Sequence, residues 1–481
     1  MNKNSSVLSS WLSEFKRWCP QLKVVRLHST DTDERNRLRK ALYDDFGSYD
    51  VVVATYEIAK NKIFRSSLVQ SIHWRVLVLD EGHMIKSKDT ELSQVVRKMH
   101  FQWSILLTGT PLQNNLTELW ALLNFLHPDI FEFSEPFDAA FNLTEQKVDT
   151  ETLQFARRLL KPLMIRRLKV DVETNLPEKV EVTVSCPLSE AQLFFYRKLL
   201  LKDSSLLSRL DKQQQRNSNE ESNSVTSNST DFSKLKSLMM QLRKCCNHPY
   251  LFSGVEDDED QTDVVDLVTA SGKLAVLDRL LIKLKTKGHR CVLFSQFTRT
   301  LDILEDYCNI RGWEAVRLDG GTNRIQRNIN INAFNAPMSK SFIFLMSTRA
   351  GGMGINLQTA DTCILYDSDW NPQADLQAMA RVHRIGQTRK VHVYRLVSAG
   401  TIEERILQRA QKKLYLDQMV NKGSEKSGEV DGAEELEKLG TQEMLKMLTF
   451  GADKILSGQG NKYPVSICPA SLGIQLLFTI T

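Results

Sequence analysis

Cysteine pairs with the C-x-x-C spacing are missing from this sequence of 481 residues. None of its eight cysteines forms a C-x-x-C pair, which argues against a zinc ribbon, and so few cysteines in so long a chain make no disulfide framework. We therefore expect free thiols and a reducing intracellular compartment. Cys245, Cys246 and His248 lie close together. These three residues could in principle bind a metal ion. Adjacent cysteines on a helix face different directions, however, so buried thiols are a simpler interpretation than a metal site.

Long apolar runs are missing as well. No stretch of 18 apolar residues occurs, and the apolar stretch 470–481 is too short to span a bilayer. The first six residues have no apolar core of the kind that secretory signal peptides carry. These absences predict a soluble intracellular protein that has no membrane as a partner.

The chain also has little excess charge of either sign. It contains 63 Lys and Arg against 58 Asp and Glu, a formal net charge of +5 at pH 7. So small an excess does not by itself indicate a nucleic-acid-binding protein, and any basic surface must come from local clustering. Hydrophobic residues at 42% and charged residues at 25% exclude a collagen-like or mainly disordered chain.

Short apolar runs alternate with helical segments in two parts of the sequence. Runs rich in Val and Leu on both faces are typical of parallel strands buried between helices. The first group comprises residues 23–27, 49–55, 74–80 and 104–108, and the second comprises residues 291–295, 315–318, 342–347, 362–367 and 391–397. The sequence therefore predicts an α/β fold with two parallel-sheet lobes.

The character of the sequence changes between and after these lobes. Residues 111–200 are mostly helical in pattern, with a strand ending and a long helix beginning at 185–190. Residues 211–233 are polar and nearly without apolar side chains, which predicts a flexible insert. We predict a first lobe, a helical segment with an acidic linker, a second lobe and a polar tail, at residues 1–130, 131–270, 271–423 and 424–481.

An acidic pair follows a buried strand in the first lobe. Asp80, Glu81 and His83 stand at the end of the apolar run 74–80, and functional sites in such sheets gather at the carboxyl ends of strands. The pair suits a nucleoside triphosphatase, in which Asp80 holds Mg²⁺ through water and Glu81 polarises the attacking water. A strand that ends in a charged turn is the alternative interpretation.

Small and hydroxylated residues follow the next strand. Thr108, Gly109 and Thr110 allow the backbone to approach and hydrogen-bond a moving ligand or a partner lobe. Taken alone the string also fits a tight turn. Its place after the Asp80–Glu81 pair makes the functional interpretation more specific.

A glycine-rich turn follows a strand of the second lobe. Such a turn presents N–H groups to phosphate, either of a nucleotide or of a nucleic-acid backbone. Its spacing is neither a dinucleotide fingerprint nor a P-loop, and a structural turn explains it equally well. Its members are Ser347, Thr348, Arg349, Gly351, Gly352, Gly354 and Asn356.

Two arginines end the series of motifs. Arg381 and Arg384 are three residues apart, so on a helix they would share one face. Two guanidinium groups on one face suit a transferring phosphoryl group, as arginine fingers from a second lobe do. A solvated basic helix is the alternative, and for these two residues alone it is the better one.

In this order these blocks resemble the Swi/Snf-type branch of the helicase-like ATPases. Six further stretches narrow the resemblance to the imitation-switch (ISWI) nucleosome remodellers, and the match covers about residues 7–455. The six stretches are residues 10–18, 116–129, 164–167, 241–251, 366–372 and 443–452.

The resemblance implies two RecA-like lobes with helical insertions between them and hydrolysis of ATP, with Mg²⁺, in the cleft that the lobes form. It also implies translocation on duplex DNA and sliding or spacing of nucleosomes without strand separation. The implied partners are duplex DNA, nucleosomes with their histones and further subunits of a remodeller complex. The implied location is the nucleus.

The resemblance also implies roles for individual residues. Glu81, Arg381 and Arg384 are the implied catalytic residues. The residues implied to bind ATP are Asp80, His83, Gly354 and Gln377, with Mg²⁺ at Asp80. Those implied to contact nucleic acid, or to couple it to ATP, are Thr108, Gly109, Thr110, Ser347, Thr348, Arg349, Gly351, Gly352, Asn356 and Trp370.

One motif of the family is absent. The sequence has no G-x-x-x-x-G-K-[ST] loop, and Ser271-Gly272-Lys273-Leu274 is the nearest string. In the family this loop precedes the block that matches residues 8–18, so we expect a truncated chain whose first lobe is incomplete. Without the lysine and N–H groups of that loop, triphosphate binding loses its main electrostatic partner. A catalytically inactive DNA- or nucleosome-binding regulator is therefore the alternative function.

Two smaller departures concern Ala380, which stands where the family usually has Asp, and residues 458–481, which resemble nothing in the family.

Two basic clusters support contact with a DNA backbone under either function, although a solvated helix face is the alternative for any one residue. Their members are Arg157, Arg158, Lys161, Arg166, Arg167 and Lys169, then Arg381, Arg384, Arg389, Lys390 and Arg395. Few aromatic residues lie between them, which disfavours stacking on single strands.

Overall fold

The computed structural model describes the chain in separate stretches. These are residues 5–28, 32–44, 46–85, 87–88, 90–108, 116–133, 158, 162–165, 167, 175–202, 229–252, 254–255, 263–351, 355–422, 447–448 and 450. The chain forms two compact units, the first mainly from residues 1–166 and the second mainly from residues 167–352 and 356–419.

Helices and parallel strands alternate in the first unit. Its elements are α1 (Ser5–Trp18), β1 (Val24–Leu27), α2 (Thr32–Asp44), β2 (Val51–Ala54), α3 (Tyr56–Lys60), α4 (Lys62–Arg65), β3 (His73–Asp80), α5 (Glu91–Arg97), β4 (His100–Leu107) and α6 (Leu116–Leu126). Within the described part, β1 pairs with β2 and β3 pairs with β4, both in parallel. All four predicted strands of the first lobe are therefore present.

The core of the first unit lies on one face of the β3–β4 pair. Leu77 and Leu79 of β3 are buried there together with side chains from α3, α4 and α5. The opposite face carries Val76, Trp103 and Ile105, which are 45%, 70% and 48% exposed. Because apolar side chains occupy both faces of these strands, their sequences read as continuous hydrophobic runs.

The second unit contains a larger sheet with its own helices. Its elements are β5 (Lys179–Cys186), α7 (Glu190–Lys202), α8 (Ser229–Asn247), α9 (Val264–Thr269), α10 (Gly272–Thr286), β6 (Cys291–Ser295), α11 (Thr298–Ile310), β7 (Ala315–Leu318), α12 (Arg324–Asn335), β8 (Ile343–Ser347), α13 (Thr348–Gly351), β9 (Thr362–Leu365), α14 (Pro372–Met379), β10 (Val391–Ser398) and α15 (Ile402–Lys422). Among the helices of the described stretches, none combines the length and the apolar sequence that a membrane-spanning helix needs.

Six parallel strands form this sheet in the order β5-β10-β9-β6-β8-β7. Every residue of β6, β8 and β9 is buried, because helices cover both faces of a parallel sheet. Crossovers between non-consecutive strands give the sheet the doubly wound order of α/β proteins. The predicted α/β fold class is confirmed.

Strand β5 lies in a different place from that suggested by the order of the sequence. The sequence predicts a helical segment with an acidic linker at residues 131–270, between the lobes, but β5 pairs with β10 over eight residues, from Lys179 opposite Val391 to Cys186 opposite Ser398. It is therefore an edge strand of the second sheet. Parallel pairing joins residues about 200 positions apart here, so local patterning gives no signal for it. The remaining domain boundaries stay predictions.

A second apolar cluster joins helices of this unit to the described residues near the C-terminus. Buried side chains of α7, α8 and α15 pack with Met447 and Leu448. The Arg405 guanidinium of α15 lies 3.9 Å from the ring centre of Phe450, within the distance for a cation–π contact. The ISWI-like stretch 443–452 thus contributes its described residues to the core of the second unit.

Lys273 lies at the centre of a buried polar network. Its side chain is fully buried, and its Nζ donates to Glu403 Oε1 at 2.6 Å, Asn247 Oδ1 at 3.0 Å and the Tyr366 carbonyl at 2.9 Å. Next to it, a Cβ on Gly272 would lie 1.7 Å from the Pro187 carbonyl oxygen. The string around Lys273 therefore follows from packing requirements, and its lysine is not available to phosphate.

Removing the charge of Lys273 should strongly destabilise the second unit. We expect Lys273→Met to lower its free energy of unfolding by about 3–5 kcal/mol, because the Glu403 carboxylate then stays buried without a cation. The matched control is Lys179→Met in the partly exposed pair with Glu181, for which we expect about 1 kcal/mol or less. Urea titration read by amide hydrogen exchange reports on each unit separately. Equal losses in the two variants would contradict the prediction.

The ring of His248 is buried in a fixed neutral tautomer. Its Nδ1 accepts from the Tyr250 N–H at 3.2 Å and its Nε2 donates to the Leu267 carbonyl at 3.0 Å. Burial lowers the pKa of His248 to about 4, and the Leu267 carbonyl opposes this effect. Because the folded-state pKa lies below the unfolded value of 6.5, this stability is present above pH 6.5 and is lost as the pH falls towards 4.

Acidification should therefore destabilise the second unit through His248. Between pH 7 and pH 5 we expect this residue to contribute a loss of about 1–2 kcal/mol in the free energy of unfolding. In the variant His248→Gln that part of the pH dependence should disappear, whereas His73→Gln, at an exposed histidine, should keep it. Urea unfolding at the two pH values measures the difference. An unchanged pH dependence in His248→Gln would exclude this cause.

Candidate functional site

The predicted acidic pair forms a strained corner at the carboxyl end of β3. Asp80 is the last residue of the strand, and Glu81 has φ = 54°, the only non-glycine positive φ among the described residues. A left-handed backbone at Glu costs about 1–3 kcal/mol and persists where the surrounding contacts impose it. Gly82 follows, where a Cβ would lie 3.2 Å from Leu106 Cβ of the neighbouring strand. The corner therefore turns tightly against β4.

Three hydrogen bonds hold Asp80. The indole Nε1 of Trp11 donates to Oδ2 at 2.9 Å, the backbone N–H of Glu81 donates to Oδ1 at 3.0 Å, and the Tyr56 hydroxyl donates to the carbonyl oxygen at 2.7 Å. Burial raises the pKa of Tyr56 well above its ordinary value, and the charges of Asp80 and Glu81 raise it further. Tyr56 therefore remains a neutral donor at physiological pH.

His83 lies beside the second carboxylate of the corner. Its Nδ1 is 3.3 Å from Glu81 Oε2, and the two side chains are 13% and 31% exposed. The structure thus brings Asp80, Glu81 and His83 together at one strand end, as the sequence predicted. Such a group offers two carboxylates and an imidazole, which suits positioning of water and a cation.

The donor set at this corner fits Mg²⁺. In the described stretches no group of three or more His, Cys, Asp or Glu side chains could enclose a metal ion. Mg²⁺ usually keeps several waters and takes one or two carboxylates together with substrate phosphates. Asp80 and Glu81 supply two carboxylates at one strand end, which is a number that Mg²⁺ takes together with waters and phosphates.

The glycine-rich turn begins at the carboxyl end of β8. Ser347 and Thr348 are 5% and 3% exposed, whereas Arg349 is exposed. The Thr348 hydroxyl is buried without a hydrogen-bond partner, and such a group in a native structure calls for an explanation, for example a ligand or water. Asn356 is exposed and donates through Nδ2 to Gln358 Oε1 at 3.1 Å.

Several predicted residues lie outside the described part of the chain. Thr108 directly follows β4 and is described, but its neighbours Gly109 and Thr110 are not. Gly351 ends α13, whereas Gly352 and Gly354 are also outside the described residues. Of the first basic cluster only Arg158 and Arg167 are described.

The expectation that Arg381 and Arg384 share a helix face is wrong. Gln377 lies in α14, but this helix ends at Met379, with Ala380 as its C-cap. The chain then turns, with the Val382 N–H donating to the Met379 carbonyl at 3.1 Å, and the Arg381 carbonyl accepts from the Leu357 N–H at 3.0 Å. Both arginines are half-buried in this turn, so its loop geometry positions them.

The second basic cluster is partly neutralised. Arg389 pairs with Asp361, Lys390 with Glu178, and Arg395 with Asp375. Asp375 is buried, which raises its pKa to about 6 against the opposing effect of Arg395. The positive charge of these three residues therefore serves contacts within the unit.

Trp370 is held by an arginine that sequence reasoning missed. Arg243 is 3% exposed, and its guanidinium lies 5.6 Å from the Trp370 ring centre and 5.3 Å from that of Phe297. It also donates to the Ser368 carbonyl at 2.9 Å. Arg243 belongs to the family-like stretch 241–251, and Trp11 to the stretch 10–18, but neither spacing indicates its distant partner.

The chain matches two family models. Residues 4–251 match the SNF2-related domain, and residues 272–386 match the helicase conserved C-terminal domain. The chain belongs to the SNF2-related family. Because the first model covers more than half of the sequence, the resemblance to Swi/Snf-type helicase-like ATPases is confirmed.

SNF2-related relatives cover most of this chain. It is 45% identical to a human SWI/SNF-related matrix-associated actin-dependent regulator of chromatin, subfamily A member 1, over 94% of this chain and 41% of the relative. It is 42% identical to the ISWI chromatin-remodeling complex ATPase ISW2 of Saccharomyces cerevisiae, over 96% and 39%. The human lymphoid-specific helicase is 38% identical over 94% and 61%. The chain thus spans about two fifths of the length of the ISWI-type relatives.

Replacing Arg243 by lysine should weaken the contacts that hold Trp370 in place. Lysine cannot stack its charge between two rings or keep the guanidinium geometry at Ser368, so we expect Arg243→Lys to destabilise the second unit by about 2 kcal/mol. The exposed Arg279 of α10 supplies the control Arg279→Lys, expected within about 0.5 kcal/mol of the parent. Urea unfolding measures the change. Indistinguishable variants would show that the stacking contributes nothing.

Proposed function

We propose that this chain hydrolyses ATP when bound to duplex DNA and uses the energy to translocate on DNA and move nucleosomes. The observation that carries the proposal is the strained Asp80–Glu81 corner at the end of β3, held by Trp11 and Tyr56. Strain concentrated at a charged strand end is typical of functional sites. The names of the relatives, a regulator of chromatin and a chromatin-remodeling complex ATPase, support the same function.

The acidic corner would carry the hydrolytic chemistry. Asp80 would hold Mg²⁺ through water, and Mg²⁺, when bound, neutralises charge on the phosphates. Glu81 would orient and polarise the attacking water, and its neighbour His83 would help to bind the nucleotide. The ordering of Asp80 by its donors supports this role, because catalysis by positioning requires groups that do not reorganise.

The second unit would contribute cations and contacts to nucleic acid. We assign charge stabilisation of the transferring phosphoryl group to Arg381 and Arg384, and nucleotide contacts to Gln377 and Gly354. The unpartnered Thr348 hydroxyl supports a ligand at the turn after β8. The remaining predicted residues of that turn, together with Trp370 and with Thr108, Gly109 and Thr110, would couple DNA contact to ATP.

Partners and location follow from the same proposal. Duplex DNA and nucleosomes would be the substrates, and the name of the yeast relative supports membership of a multi-subunit complex. Action on nucleosomes requires access to chromatin, so we assign the chain to the nucleus.

Glu81→Gln tests the hydrolytic assignment. Losing the base that orients water should lower kcat for DNA-stimulated phosphate release by about 10²- to 10⁴-fold, with little change in the KM for ATP. The matched control is Glu91→Gln, at an exposed residue in the first turn of α5, which should leave kcat unchanged. The assay uses this 481-residue chain with duplex DNA and with nucleosomes.

Nucleotide binding has to be measured separately from turnover, because the sequence has no G-x-x-x-x-G-K-[ST] loop. Fluorescent ATP analogues report binding, and released phosphate reports turnover. Salt-dependent duplex binding without DNA-stimulated phosphate release would overturn the ATPase proposal for this chain. It would instead favour a binding regulator, whose affinity falls steeply with salt.

A further inference from the structure

The indole of Trp11 reaches from α1 to the functional corner. Leu8, one turn earlier, is fully buried, whereas Trp11 is half-buried and its ring lies 6.1 Å from that of Phe15. Its Nε1 donates to Asp80 Oδ2 at 2.9 Å, across 69 positions of the sequence. Packing of α1 against the unit needs the apolar ring but not this donor, so the hydrogen bond calls for a separate explanation.

A second tryptophan on the same helix shows the contrast. Trp18 is 69% exposed, and its Nε1 donates to Glu14 Oε2 at 2.8 Å within α1 itself. Both indoles therefore donate to a carboxylate, but only the Trp11 bond joins the helix to the corner. The pair offers a natural comparison, because the same substitution removes the same chemical group at two sites.

We propose that Trp11 is a positioning residue, which orients the Asp80 carboxylate for Mg²⁺. This inference rests on the proposed function only in assigning Asp80 to Mg²⁺. With Oδ2 bound to Trp11 and Oδ1 bound to the Glu81 N–H, the plane of the carboxylate is defined by two donors from different parts of the chain. The backbone of Asp80 is held by Tyr56, whereas Trp11 acts on the side chain and restricts its rotation together with the Glu81 N–H.

The orientation of the Asp80 carboxylate affects how tightly Mg²⁺ can bind. Mg²⁺ demands nearly ideal octahedral geometry, and a carboxylate that rotates spends part of its time with its oxygens turned away from the position that a magnesium-bound water requires. Groups that orient a metal-binding side chain typically contribute about 10- to 100-fold in metal affinity. We expect the lower end of that range, because Asp80 keeps a second donor when Trp11 loses its N–H.

The first experiment locates the metal without any turnover. The chain is labelled with 5-fluorotryptophan and titrated with Mn²⁺, which replaces Mg²⁺ and broadens nearby fluorine resonances. The Trp11 resonance is the one that Trp11→Phe removes. We expect Mn²⁺ to broaden it, added Mg²⁺ to restore it, and Asp80→Asn to abolish the broadening.

The second experiment measures the contribution of the N–H group. Free Mn²⁺, counted by electron paramagnetic resonance, gives the dissociation constant of the metal alone. Trp11→Phe keeps an aromatic ring and removes the donor, so the constant should rise about 10-fold. Trp18→Phe, which removes the donor on the exposed side of α1, should leave it unchanged.

The outcomes separate this inference from the proposed function. Unchanged or tighter Mn²⁺ binding in Trp11→Phe, or a Trp11 resonance that Mn²⁺ does not broaden in the parent chain, would overturn the positioning role even in an active ATPase. Weaker binding in Trp11→Phe alone would support it even in a chain that turns over no ATP. Circular dichroism checks folding, and if Trp11→Phe is unfolded, Trp11→Leu, which also removes the indole N–H, takes its place in both experiments.

Discussion

Carboxylates fixed at the carboxyl ends of parallel strands are the constraint on which both units depend. In the first unit Asp80 accepts from Trp11 and from the Glu81 N–H. In the second, Asp367 accepts from Asn247, 120 positions away, and from Ser295. Strand ends leave backbone groups and charges that need partners. In both units distant elements supply those partners, so the acidic side chains also join helices to the sheets.

The buried lysine completes this arrangement in the second unit. Lys273 contacts Asn247, Tyr366 and Glu403, and thereby joins α8, the end of β9 and α15 around one ammonium group. A buried charge requires a full set of acceptors, so these elements cannot shift independently without leaving it unpaired. The resemblance of its local sequence to a phosphate-binding string is therefore misleading, since the ammonium group is already saturated by protein acceptors.

The sequence predicted the strands well because fully buried parallel strands are nearly continuous runs of apolar residues. It also predicted the Asp80–Glu81–His83 group, since neighbours in sequence at a strand end remain neighbours in the fold. It could not predict the pairing of β5 with β10, nor Trp11 and Arg243 as partners of Asp80 and Trp370. Those contacts depend on tertiary packing between distant segments. The prediction of a helix at Arg381 is wrong because i, i+3 spacing carries no information about where a helix ends.

Three consecutive residues of the loop that carries Trp370 each accept a hydrogen bond from another part of the second unit. Tyr366 accepts from Lys273, Asp367 from Asn247, and Ser368 from Arg243. Two of these three partners lie one turn apart on α8, which places its C-terminal turn alongside the loop. A displacement of Trp370 relative to the sheet would break buried charge-assisted bonds, each contributing about 1.5–3 kcal/mol. A displacement of Trp370 that keeps these bonds must therefore carry the C-terminal turn of α8 with it.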